Sequence, residues 1–175
     1  NIGGTAYKAY HQALKHRITQ ILGAEFMENC IPLDLERGES FMKANLSGYV
    51  CIPTYNKANS MGQFVFVNNR PVKDKLFAGA IRAAYQDFLE RGRHPQLVIF
   101  IRISPSEVDV NVHPAKSEVR FRDEANIRSL IVGGVKNMLV NAKLKTSTQM
   151  ASQTLKRFTT GAVSYTHLTL PTNGC

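Results

Sequence analysis

The sequence predicts an α+β (α/β-like) domain built on one mixed sheet, with helices largely on one face. Three patterns point there. An alternating run at Phe64 to Val67, an amphipathic helix from Asp74 and a continuous apolar run at Leu97 to Ile101 make a strand, helix, buried-strand unit. Upstream, Ile31 to Glu36 and Phe41 to Ile52 alternate apolar and polar residues around an Arg-Gly-Glu-Ser turn and read as a hairpin. Downstream, Asp123 can cap a closing helix with one apolar face.

In chain order, Ile18, Ile21, Leu22 and Phe26 have helical spacing, interrupted at Gly23 where a helix ends or bends. The hairpin follows. The strand at Phe64 to Val67 is closed by Asn68-Asn69, and Asn69 tolerates the left-handed backbone that such a turn needs. From Asp74, Leu76, Phe77, Ala80, Ile81, Ala84, Tyr85, Phe88 and Leu89 recur as pairs every four residues, a stripe that faces a core, and Arg91-Gly92 ends the helix. Ile127, Leu130, Ile131, Val135, Met138 and Leu139 give the last helix its apolar face, with the Gly133-Gly134 pair explained by close packing. From 142 the composition turns to Lys, Ser, Thr, Gln and Ala and reads as the start of a flexible linker over 142–161. Residues 162–175 fit neither linker nor domain and read as a non-native tail.

At 175 residues and 43% hydrophobic composition the chain can bury one sizeable core, which excludes a disordered protein. No run approaches the roughly 18 apolar residues of a spanning helix, so no membrane partner is expected. With no initiator Met and no signal-like stretch before Lys8, the chain reads as an internal piece of a longer protein. Cys30, Cys51 and Cys175 are odd in number and scattered without a Cys-x-x-Cys pair, which argues against a metal site or disulfide scaffold and for a reducing compartment, the cytoplasm.

The net charge of +9 and a pI near 9.7 point to a polyanionic partner. No acidic residue follows Glu124, while Arg128, Lys136, Lys143, Lys145, Lys156 and Arg157 do. More locally, Lys75, Gly79, Arg82 and Gln86 share the helix face opposite the apolar stripe, so Lys75 and Arg82 form a ridge with Arg70 and Lys73 near its N-terminal end. Phosphates suit both the cations and the helix end. A solvated helix face is the competing reading. With no aromatic interleaving and no recognition-helix motif, any DNA contact would go to the backbone and ignore sequence.

The most informative stretch is Val108 to Phe121. Val108, Val110 and Val112 point to one face and Asp109 and Asn111 to the other, as in a half-buried strand. Pro114, lacking an N–H, forces a turn just before Ala115 and Lys116. A second alternation from Glu118 to Phe121 follows, so Lys116 sits on a stiff loop between two strands with its ammonium free to meet an anion. His113 reads as a structural residue that orients the loop, since no second His, Cys or carboxylate stands at ligand spacing. An ordinary exposed lysine after a proline turn is the alternative to a functional Lys116.

These fourteen residues closely resemble the signature of the MutL family of DNA mismatch-repair proteins. Phe64 to Leu76 is similar to that family's strand, Asn-Gly-Arg turn and helix start, with Asn69 where the family often has Gly. Arg17 to Gly23 resembles the opening helix of its second domain, so the likeness extends over roughly 17–141. The resemblance implies a ribosomal protein S5 domain 2-like fold for 17–141, the transducer domain, with 1–16 as the end of a preceding gyrase-type (GHKL) ATPase domain or a connector. It implies that Lys116 of the Asn111, His113, Pro114, Ala115, Lys116 loop contacts the γ-phosphate of ATP bound with Mg2+ by the ATPase domain. The position of Lys75 is basic and implicated in DNA binding in the family. Further implied partners are MutS, downstream repair factors and a second copy in a homodimer.

No Glu-x-x-x-Asn-x-x-Asp helix, Asp-x-Gly-x-Gly turn or Walker loop occurs, so the chain alone is expected to lack catalytic residues, bind no cofactor or metal and be inert. Two rival readings stand beside the transducer: a non-catalytic nucleic-acid-binding module of S5-like fold, and the transducer of another gyrase-type ATPase. The Val-Asp-Val-Asn-Val-His-Pro-Ala-Lys stretch favours MutL over both.

Overall fold

Residues 97–101, apolar at every position, run through the middle of a five-stranded sheet, as a strand covered on both faces must. The computed structural model describes residues 2–38, 43–110 and 119–161. In chain order they form α1 (Ile2–Leu22), α2 (Ala24–Glu28), β1 (Cys30–Arg37), β2 (Ala44–Cys51), β3 (Asn56–Lys57), β4 (Gln63–Val67), β5 (Arg70–Val72) and α3 (Lys75–Tyr85). Then come β6 (His94–Pro95), β7 (Leu97–Arg102), a 3-10 turn at Pro105–Glu107, β8 (Val108–Val110), β9 (Val119–Phe121) and α4 (Glu124–Gly161).

The main sheet has the order β1-β2-β7-β4-β5 and is mixed. β1 pairs antiparallel with β2 from Cys30↔Cys51 to Arg37↔Ala44, the expected hairpin, with its turn outside the described residues. β7 pairs antiparallel with β2 and parallel with β4, in register Val65↔Ile99. The strand, helix, strand unit is therefore β4, α3, β7. Small two-stranded ladders join β3 to β6 and β8 to β9.

Alternation along the strands divides the core in two. Leu97, Ile99 and Ile101 of β7 and Leu46 of β2 are fully buried, and with Val65 they face Phe77, Ile81 and Tyr85 of α3 and Ile127, Leu130, Ile131 and Val135 of α4. Each such side chain contributes about 1.5–3 kcal/mol through burial. Val98, Tyr49 and Cys51 point to the opposite face, where Ile18 of α1 and Phe26 of α2 cover them and Leu14, Leu22, Phe66 and Phe100 pack partly buried. So α3 and α4 share one face, as read from the sequence, and α1 with α2 covers part of the other. Two close approaches fix this packing. A Cβ on Gly48 would lie 2.0 Å from the Val98 carbonyl oxygen, and one on Gly134 would lie 3.0 Å from the Leu46 side chain, so both positions bring backbone against a neighbour.

Several boundaries differ from the sequence reading. The opening helix starts at Ile2 rather than Arg17, so 2–16 are helical, and Ile21 of its supposed apolar stripe is 75% exposed. Asn68 and Asn69 both take positive φ, 47° and 69°, and the two-residue turn closes onto β5, a strand the sequence reading passed over. α3 is capped as expected, the Asp74 carboxylate accepting from the Leu76 N–H at 2.8 Å, but ends at Tyr85, short of the Arg91-Gly92 pair. Cys30 and Cys51, 21 residues apart in sequence, are joined as a disulfide. The hairpin register sets them directly opposite, which corrects the expectation against a disulfide and removes the cysteine argument for a reducing compartment.

The described chain divides into two units, 1–139 and 140–175. In the second, residues up to Gly161 are helical where a flexible linker was expected from 142. Thr146, Ser147 and Thr148 donate their hydroxyls to the carbonyls of Ala142, Lys143 and Leu144, which keeps these polar side chains inside a helical pattern. Residues 162–175 lie outside the described part. Among the described residues, no helix is long and apolar enough to cross a membrane.

Candidate functional site

The signature loop is framed by β8 and β9. These strands pair antiparallel, Val108↔Phe121, Asp109↔Arg120 and Val110↔Val119. Val119 and Phe121 are buried, and Phe121 meets Phe77 of α3 edge to face at 5.8 Å between ring centroids. Across the base, the Arg122 N–H donates to the Glu107 carbonyl at 3.0 Å. The frame is thus anchored in the core. Asn111, His113, Pro114, Ala115 and Lys116 themselves lie outside the described residues.

Beside the frame stands the β4–β5 turn. The Asn68 amide donates to the Ile103 carbonyl at 3.0 Å, and its oxygen accepts from the Ile103 N–H at 3.0 Å. One side chain thereby satisfies both backbone groups of the residue that follows β7. A cavity of about 240 Å³ lies between this turn and the hairpin, lined by Asn68, Arg70, Val72, Pro105, Val108 and Val119. Arg70 is therefore brought next to the strands that carry the loop, a proximity that sequence spacing does not reveal.

Arg70, Lys73, Lys75 and Arg82 are all exposed, and among the described residues none of their side chains is in an ion pair or hydrogen bond. Arg70 opens β5, Lys73 follows its end and Lys75 is the first residue of α3. Lys75 and Arg82 are seven residues apart on the solvent face, which is about 10 Å along a helix axis. The Asp74 carboxylate occupies the Leu76 N–H, one of the donors of this helix end, and brings a negative charge beside it.

A second cationic group was missed. Beyond Tyr85 the chain turns, and Arg91, Arg93 and His94 join Arg82 around an open groove of about 700 Å³. The sequence pattern reads Arg91-Gly92 only as the end of a helix. Tyr85 underlies this end of α3 as a structural residue: its buried hydroxyl donates to the Cys51 carbonyl at 2.6 Å, and burial pushes its pKa well above the ordinary tyrosine value. Among the described residues, no group of three or more His, Cys, Asp or Glu could hold a metal ion.

A family model described as "DNA mismatch repair protein, C-terminal domain" matches residues 18–140. The chain is 50% identical over 145 residues to a Rickettsia canadensis protein named DNA mismatch repair protein MutL, a match covering 83% of this chain and 23% of that one. A protein of the same name from Mesorhizobium japonicum is 46% identical over 151 residues, covering 86% and 23%. This chain thus spans about a quarter of the length of these curated relatives. Among solved structures, the N-terminal domain of a DNA repair protein superposes with a TM-score of 0.61 at 20% identity, covering 73% of this chain and 40% of that chain, a likeness of fold.

Proposed function

The chain belongs to the MutL family of DNA mismatch repair proteins, and from that premise we propose that residues 17–141 act as the transducer domain beside a GHKL-type ATPase domain of the full-length protein. The observation that carries this reading is the β8–β9 frame. Two paired strands rooted in the core by Val119 and Phe121 flank the residues 111–118, which contain His113, Pro114, Ala115 and Lys116. Held there, Lys116 meets the γ-phosphate of ATP, which the ATPase domain holds with Mg2+. A lysine about 4 Å from a phosphate charge gains on the order of 4 kcal/mol at an effective dielectric of 20, before desolvation. ADP offers no such contact, so the domain distinguishes the two nucleotides through a differential interaction. Arg70 of the basic ridge lines the same cavity as Val108 and Val119, which supports a ridge that stands beside the β8–β9 frame.

The ridge of Arg70, Lys73, Lys75 and Arg82 contributes sequence-independent contacts to DNA phosphates during mismatch repair, in a protein that works as a homodimer with MutS and downstream factors in the cytoplasm. Its unpaired, exposed cations support this half of the reading. A salt titration of binding to random-sequence duplex tests it. Lys75→Glu lowers the log–log slope by roughly 0.9 for each lost phosphate contact, while Arg128→Glu, an equal charge change on the exposed face of α4, has a smaller effect. Equal weakening by both reversals would reduce the ridge to a generally basic surface.

A further inference from the structure

We infer that the groove at the C-terminal end of α3 is a second phosphodiester subsite, which extends the nucleic-acid track beyond the ridge; this rests on the DNA-binding half of the proposed function. α3 stops at Tyr85, and the chain then reverses through Gly92, whose φ of +83° lies in the left-handed region open to glycine, before entering β6. That reversal carries Arg91 and Arg93, one on each side of Gly92, to the same groove as Arg82 and His94. The three arginines are exposed, and among the described residues none of their guanidinium groups is in an ion pair or hydrogen bond.

The lining holds a single carboxylate, Glu90. Asp87, nearby in sequence, is engaged by Lys136 at 2.6 Å. Three guanidinium groups facing one carboxylate leave a net positive groove whose donors have fork geometry suited to phosphate. Its walls include the partly exposed apolar side chain of Leu89, against which a sugar can rest. One feature favours a nucleic-acid backbone over an acidic peptide. Arg82 belongs both to this groove and to the helix face that begins at Lys75, so the cations follow one line about 10 Å along the helix axis.

The test uses the whole 175-residue chain with random-sequence duplex DNA and, separately, poly-glutamate, each titrated with salt. The double variant Arg91→Gln with Arg93→Gln changes only exposed turn residues, and circular dichroism checks that it remains folded. Loss of two phosphate contacts lowers the slope by roughly 1.8, so between roughly 50 and 200 mM salt the wild type loses about twelvefold more affinity than the variant. Lys143→Gln with Arg128→Gln, both exposed and outside any ion pair among the described residues, serves as the charge-matched control. A change in the groove variant no larger than in this control overturns the subsite; if Lys75→Glu is still effective, the ridge survives. A groove effect without a Lys75 effect supports the subsite and removes the ridge. Loss of poly-glutamate binding with DNA binding intact assigns the groove to an acidic protein instead and overturns the inference. Absence of DNA binding by the wild type overturns both.

Discussion

Asn68 gives the sharpest quantitative expectation, because one side chain holds the β4–β5 turn against the exit of β7. Asn68→Ala removes two hydrogen bonds of 3.0 Å to the Ile103 backbone, each contributing about 1 kcal/mol. It also places alanine at a φ of 47°, in a left-handed conformation that costs a residue with a Cβ about 1 kcal/mol or more. The expected loss of stability is therefore about 3 kcal/mol. Asn68→Gly removes the same bonds but relieves the conformational part, so about 2 kcal/mol is expected. Urea unfolding of the two variants beside the wild type, followed by circular dichroism and compared at equal m-values, measures both. Equal losses would refute the left-handed contribution, and losses below about 0.5 kcal/mol in both would refute the clamp itself.

Other outcomes follow from the same packing. Gly48→Ala must push β2 away from β7, since its Cβ would lie 2.0 Å from a backbone oxygen, and a loss of at least about 3 kcal/mol in urea unfolding is expected. Tyr85→Phe leaves the Cys51 carbonyl without its 2.6 Å donor and costs about 1–3 kcal/mol at pH 7. The same variant changes the alkaline limb. Because burial raises the folded-state pKa of Tyr85, the stability tied to its neutral hydroxyl is complete below the unfolded value of about 10 and is lost as pH rises above it. Tyr85→Phe therefore shows a shallower decline above about pH 10, measured by urea unfolding at stepped pH.

The parts of this fold that were legible in the sequence are those where one periodicity dominated. The paired apolar positions of α3, the Asp74 cap, the β1–β2 alternation and the unbroken apolar strand β7 each carried a local signal strong enough to survive tertiary context. β5 did not, because Arg70-Pro71-Val72 is too short to alternate and contains a proline, the residue least expected in a ladder. The early end of α3 was hidden because Phe88 and Leu89 continue the apolar stripe while packing from a turn rather than a helix. The Cys30–Cys51 pairing and the convergence of Arg82 with Arg91 and Arg93 depend on hairpin register and chain reversal, which residue spacing does not encode. Lys116 is read from the sequence as a loop lysine, and it lies outside the described residues, which supply only the strands β8 and β9 on either side.

The central claim is that Lys116 reads the nucleotide. The direct measurement is steady-state ATP hydrolysis by the full-length protein carrying Lys116→Ala, with the 175-residue chain alone as a control expected to give no turnover. If the lysine contacts the γ-phosphate, losing even about 1.4 kcal/mol of transition-state stabilisation lowers the rate about tenfold, and the ATP-driven closure weakens with it. Hydrolysis at the wild-type rate in a folded Lys116→Ala protein would contradict the account.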